Sequence, residues 1–270
     1  MKKRKLSGFT RKYLAIPYVV FMAIFVILPL LILLLYSFCE TRSDGSLSWN
    51  FTFDNYKTIF SPSSVQMLSR SIYVGLLTTL ICLAIGYPVA LFLADKKYNK
   101  SPVLVMLFML PMWINFLLRT LATKAMFEAM EVDLGMGTVI FGMVYNYLPF
   151  MIMPIYTTIS KIDPSLLEGA ADLGASPRKA FVKVTLPLSL PGVLSGITMV
   201  FMPTITTFAI SGLLSGNKIS LIGDFIDLQV VNSLNVASAM SFIILIVIGI
   251  SMIVVNKYDK DNASSGGGLW

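Results

Sequence analysis

Residues 168–187, "EGAADLGASPRKAFVKVTLP", form a polar interruption in a chain that is otherwise mostly apolar. Asp163-Pro164 and Ser176-Pro177 each set a capping side chain directly before a proline, and a first helical position tolerates the missing N–H. Gly174 stands where the first helix needs a left-handed residue to end. The segment therefore reads as helix, glycine turn, helix. Leu166, Leu167, Ala170 and Leu173 fall at spacings that make one apolar stripe. Gly169, Ala170 and Ala171 are small enough to admit a close backbone. Lys161, Arg178, Lys179 and Lys183 hold the segment in water. Two readings fit these residues: a docking element for another protein, or an amphipathic helix resting on lipid.

Outward from this stretch the chain is a series of long apolar runs. Of its 270 residues 56% are hydrophobic and 13% charged, where a soluble domain carries about a quarter charged. Runs of about 18 or more apolar residues are long enough to cross a bilayer. Six occur, at 14–36, 69–94, 103–123, 138–160, 190–213 and 237–256. The expected fold class is all-α: a polytopic membrane protein with six transmembrane helices, a tail over 1–13, a polar segment over 161–187 and a second tail over 257–270. The end of that last tail, "SSGGGLW", has the composition of a linker.

The net charge of +7 is distributed as topology rather than as a binding patch. Cations gather before the first run (Lys2, Lys3, Arg4, Lys5, Arg11, Lys12), at Lys96, Lys97 and Lys100, within 161–185, and at Lys257 and Lys260. These groups alternate across the six runs, and cytoplasmic loops carry the cation excess. Both termini and the 161–187 segment are thus expected in the cytoplasm, with 37–68 outside. No base-reading motif accompanies the charge, which excludes a nucleic-acid reading. The first run is longer than a signal-peptide core and lacks a small-residue cleavage site, so it reads as a retained anchor.

Chemistry within the chain is narrowly bounded. It has no histidine and two cysteines, Cys39 and Cys82, so neither a Cys/His metal cluster nor a His-based catalytic site is expected. No G-x-x-x-x-G-K-[ST] phosphate loop is present, so this chain is not expected to hydrolyse ATP itself. No inverted repeat marks a secondary transporter. Between the runs, "TFDNYKTIF" (52–60) reads as a short capped surface helix and "ATKAMFEAMEVDLGMG" (122–137) as an acidic amphipathic one. "SGNKISLIGDFIDLQVVNSLNVA" (215–237) is too polar to span and too apolar for a free loop, so it reads as re-entrant or interfacial, packed on protein. Pro187, Pro191, Gly192 and Gly196 at the start of the fifth run mark either a bend or close helix packing.

The opening stretch resembles the signature of ABC-transporter permeases: E-A-A, three residues, G, nine residues, then I-x-L-P. Glu168 starts it, Gly174 falls at the required place, and Val184, Leu186 and Pro187 follow after nine residues. Gly169 replaces the first alanine and Val184 the isoleucine. "LPMWINFLLRT" (110–120), "YNYLPFMIMPIYTTISKID" (145–163) and "GNKISLIGDFIDLQ" (216–229) resemble the spermidine/putrescine branch of that family.

The resemblance implies a type I ABC importer permease fold in a bacterial cytoplasmic membrane. It implies a coupling helix, with Glu168, Gly169, Ala170, Ala171, Leu173, Gly174, Leu186 and Pro187 seated on an ATPase. The implied partners are a sister permease, an ATPase dimer and an extracytoplasmic polyamine-binding protein. ATP and Mg would be held by the ATPase, with no cofactor on this chain. Permeases for iron, molybdate and other solutes share the scaffold and stay open as alternatives. For a polyamine, acids would meet the ammonium groups and aromatics would pack the methylenes and the cation. The candidates for that path are Trp113, Asn115, Tyr145, Asn146, Phe150, Phe208, Asp224 and Asp227. Arg119, of the wrong sign for such a solute, is expected to pair with Glu128, Glu131 or Asp133, or with the binding protein.

Overall fold

A computed structural model describes residues 16–41, 47–95, 99, 101 and 103–266. The cations of residues 2–12, Lys96, Lys97 and Lys100, and the last four residues lie outside that set. The helices are α1 (Ile16–Ser37), α2 (Asp54–Ile59), α3 (Pro62–Ala94), α4 (Val103–Trp113), α5 (Phe116–Ala129) and α6 (Met136–Ile159). After these come α7 (Pro164–Asp172), α8 (Pro177–Thr206), α9 (Ala209–Ser215), α10 (Ile222–Asn232) and α11 (Leu234–Gly266). Among the described residues five helices are long and apolar enough to cross a membrane, or up to six if α4 and α5 together make one span. The chain divides into two compact units, Pro62–Phe225 with Val247–Trp270, and Met1–Ser61 with Ile226–Ile246.

In the larger unit α3, α6 and α8 pack around Cys82, Ala90, Leu93, Met151, Ile152, Ile155, Val193 and Val200. A second cluster, Val74, Val139, Met143, Ile210, Leu214 and Leu221, joins α3 and α6 to α9 and the approach to α10. The α6–α8 contact runs through Gly192 and Gly196, four residues apart on one face. A Cβ at Gly192 would stand 2.7 Å from the Pro154 carbonyl oxygen, and one at Gly196 2.7 Å from the Met151 sulfur. Lipid is as apolar as leucine, so membrane helices gain by close backbone approach, which small residues permit. Of the two readings of this region, packing is the one these contacts support.

The helix turn widens twice to the π form, at Ala23–Ile27 and at Phe181–Thr185. Each widened turn ends directly before a Leu-Pro pair, Leu28-Pro29 and Leu186-Pro187. A proline has no N–H and crowds the carbonyl four residues back. A π turn just upstream re-routes one bond, from Leu28 to Ala23 and from Leu186 to Phe181, and the helix runs on. The fifth apolar stretch is consequently one helix from Pro177 to Thr206, longer at its start and shorter at its end than the 190–213 run.

The third stretch is broken: α4 and α5 meet at 90°. Pro111 lies within α4, and Asn115 caps α5 by accepting the Leu117 N–H at 2.8 Å. A proline followed by an asparagine cap is a stop and a restart. The acidic helix expected over 122–137 is the continuation of α5, ending at Ala129, with Glu131 in a left-handed conformation (φ 54°).

The smaller unit departs from all-α. Cys39–Thr41 (β1) and Leu47–Phe51 (β2) pair antiparallel, Glu40 opposite Ser48 and Thr41 opposite Leu47. Asp44-Gly45 separates two short runs, the second carrying Trp49 and Phe51, which is a hairpin pattern. Asn55 donates to the Ser37 and Cys39 carbonyls at 3.0 and 2.8 Å, and Asn235 donates to the Cys39 carbonyl at 2.8 Å. These bonds fasten α1, the hairpin, α2 and the start of α11 together. The Tyr56 and Ser37 hydroxyls lie 2.9 Å apart and share a further bond.

Candidate functional site

The polar segment folds as helix, turn, helix. The Asp163 carboxylate accepts the Ser165 N–H at 3.0 Å, and this bond holds its pKa below the usual aspartate value. At the other end the Gly174 N–H reaches the Ala171 carbonyl at 2.9 Å and the Ala175 N–H the Ala170 carbonyl at 3.0 Å. That crossed pair closes the helix only if the residue between is left-handed, and Gly174 has φ +75°. No residue of α7 is buried. Leu166 and Leu167 are exposed, and Leu173 is 90% exposed. Nothing lies within 4 Å of a Cβ placed at Gly169. Glu168 and Ala171 are exposed as well. An apolar face on a capped helix is thus left exposed. Downstream, the Phe181 ring meets Tyr87 edge-on at 6.0 Å, and the hydroxyls of Tyr87 and Ser189 lie 2.8 Å apart. These contacts join α3 to the first half of α8.

The α4–α5 bend opens a cleft of about 540 Å³ between that bend, α6 and the end of α8. Five of the eight path candidates line it: Trp113, Asn115, Asn146, Phe150 and Phe208. Trp113 is 83% exposed. Tyr145 lines a different, apolar groove with Pro111 and Pro149. Asp224 is not on the cleft wall. Its carboxylate accepts the Leu221 N–H at 2.7 Å and the Ser211 hydroxyl at 2.9 Å, fastening α10 to α9. A Cβ at Gly223 would stand 2.4 Å from the Thr207 carbonyl, and the Ile222 N–H donates to Ser71 at 2.8 Å. The start of the 215–237 segment is therefore packed on protein. Asp227 is exposed, in the part of α10 that belongs to the smaller unit.

Arg119 does not make the expected pair with Glu128, Glu131 or Asp133. It lines the cleft and is 7% exposed, and among the described residues it forms no ion pair. Glu128, one expected partner, lies 3.7 Å from Lys124 instead. The Arg119 guanidinium sits over the Tyr145 ring at 5.9 Å, and its Nε and Nη1 have no hydrogen-bond partner. Such a cation–π contact contributes about 0.5–2 kcal/mol, less than a buried, unpaired charge costs. Asn146 donates to the Gly142 carbonyl at 2.8 Å, but its Oδ1 accepts nothing. Among the described residues no cluster of three His, Cys, Asp or Glu side chains could hold a metal ion.

The chain is thus a bundle of long apolar helices that carries one short, capped, exposed helix, α7. The chain belongs to the family of binding-protein-dependent transport system inner membrane components, which matches residues 76–259. The spermidine/putrescine transport system permease protein PotB of Escherichia coli (strain K12) is 37% identical over 253 residues, 86% of this chain and 92% of that one. PotB of Haemophilus influenzae is 33% identical, over 87% of this chain and 89% of that one. In fold, the chain is similar to a bacterial ABC transporter for import of the acidic polysaccharide alginate. That likeness has a TM-score of 0.70 at 16% identity and covers 96% of this chain and 99% of that one. The MetNI methionine ABC transporter gives 0.59 at 17% identity, covering 75% and 99%.

Proposed function

We propose that the chain is the permease subunit through which an ATP-driven importer passes polyamines, spermidine or putrescine, into a bacterial cell. The observation that carries this reading is 37% identity to a spermidine/putrescine permease sustained over 86% of the chain. A sister permease completes the path, an extracytoplasmic binding protein delivers the solute, and an ATPase dimer holding ATP and Mg docks on α7. Closure of that dimer moves 163–186, and α8 and α6 carry the movement to the cleft, an alternating-access scheme. Glu168, Gly169, Ala170, Ala171, Leu173 and Gly174 make the docking contact in this reading. Leu186 and Pro187 lie within the transmitting helix α8, directly after its π turn.

The cleft has part of the chemistry a polyamine needs. The vacant Asn146 Oδ1 can accept from an ammonium group, and Trp113, Phe150 and Phe208 offer ring faces to the methylenes between. Asp224 supports the wall by fixing α9 to α10, and Asp227 is exposed to a solute or partner outside the cleft.

The test is uptake of labelled spermidine by proteoliposomes carrying both permeases and the ATPase, with binding protein outside. ATP-dependent uptake that unlabelled putrescine competes and iron or molybdate does not is the expected result. Trp113→Ala and Asn146→Ala should lower uptake at subsaturating spermidine while ATPase recovery stays unchanged. Competition by iron or molybdate, with none by putrescine, would replace the polyamine by that solute.

A further inference from the structure

Among the described residues, Arg119 is the one charged side chain on the wall of the α4–α5 cleft. It is also 7% exposed, with two guanidinium nitrogens, Nε and Nη1, that no described residue satisfies. A guanidinium always carries its proton and presents its donors in a fork shaped for a carboxylate. A buried cation of this kind needs a counter-charge in the assembled state. Among the described residues no carboxylate pairs with it: Glu128 lies against Lys124, and Asp224 is bonded to Ser211 and Leu221. The cargo of the proposed function cannot serve either, because a polyamine is itself a cation and would be repelled.

We propose that Arg119 receives an aspartate or glutamate side chain from the sister permease, and that this inter-subunit pair closes the cleft side of the path. The inference rests on the polyamine reading, since an anionic cargo could otherwise supply the charge. Trp113 and Phe208, 83% and 48% exposed, lie on the same cleft and would cover the pair from water once a second subunit seats there. Tyr145 holds the guanidinium from its other surroundings, with its ring centroid 5.9 Å away. A pair made this way would also cancel the one charge that opposes a cationic solute. The subunit contact and solute selectivity would then depend on the same residue.

The experiment uses the whole complex in proteoliposomes. Arg119→Gln and Arg119→Glu are each expected to lower spermidine uptake by about tenfold or more, with Arg119→Glu also lowering recovery of the sister permease on the tagged chain. Arg119→Lys, which keeps the charge, should retain more of both. In the Arg119→Glu background, the membrane-region acids of the sister permease are replaced by arginine one at a time. Recovery of uptake and co-purification by one such replacement is the expected result. Failure of every replacement, or normal uptake and recovery in Arg119→Glu, overturns the pair. Failure of the polyamine reading looks different. The wild-type complex would then take up an anionic solute rather than spermidine, and Arg119→Gln would abolish that uptake while sister recovery stayed intact.

Discussion

Gly192→Ala is the smallest change that tests how α6 and α8 are held together. The added methyl would sit 2.7 Å from the Pro154 carbonyl oxygen and 2.6 Å from Thr158 Oγ1. The threonine can rotate, but Pro154 offers backbone, and ordinary contact begins at 3.4 Å. The helices must therefore part by about 0.7 Å over a turn, in a core already packed to crystal-like density. Overpacking of this kind costs about 1–3 kcal/mol, and no hydrophobic term compensates in a bilayer. The control is Gly169→Ala on α7, where a Cβ meets nothing within 4 Å and helix propensity favours alanine by about 0.5–1 kcal/mol. Unfolding of the purified chain by SDS in mixed micelles, followed by circular dichroism, compares the two. Gly192→Ala should unfold at a lower SDS fraction and Gly169→Ala at the wild-type fraction or above. Equal midpoints for Gly192→Ala and wild type would refute the close-approach reasoning.

Three further outcomes are expected. Gly174→Val and Glu168→Lys should abolish uptake and co-purification with the ATPase while the spans insert normally. The valine is forced to φ +75°, a strain of about 1–2 kcal/mol or more at the docking turn; undiminished ATPase recovery in both would count against α7 as the coupling element. A cysteine at Ser48 should be labelled from outside intact cells and one at Ser176 should not, with little background because Cys39 and Cys82 are buried; the reverse pattern overturns the orientation drawn from the cations. The Asp163 cap has a pH sign. Its folded pKa is lowered, so the stabilisation is fully present above the unfolded aspartate value and is lost as pH falls through the folded one. Protection of the Ser165 amide, its exchange rate relative to the intrinsic rate at the same pH, should therefore fall on acidification in wild type more than in Asp163→Asn, and equal acid sensitivity would remove the cap from the account.

Much of the bundle was legible in residue order because lipid imposes a simple rule: a segment that crosses it must be long, apolar and internally hydrogen-bonded. The helix–turn–helix over 163–180 was legible for the same local reason, since Asp163-Pro164, Gly174 and Ser176-Pro177 act within a few residues of themselves. The α4–α5 break had a local signature too, Pro111 and the Asn115 cap, but an unbroken hydropathy run over 103–123 masks it. The hairpin before α2 is faint in sequence because three paired positions leave only Asp44-Gly45 and two aromatics as evidence.

What sequence could not reach is which distant side chains meet. Asp224 and Arg119 are both charged residues near span ends, and composition alone makes the acid the better contact for a cationic solute. The fold reverses their positions. Leu221 and Ser211 take up the Asp224 carboxylate, while the right-angled start of α5 turns Arg119 into the cleft beside Asn146. Chain order sets a helix's length and its caps, because those depend on neighbours in sequence. The angle between two helices, and so the charge that faces a cavity, depends on packing partners tens of residues away, such as Gly192 against Pro154.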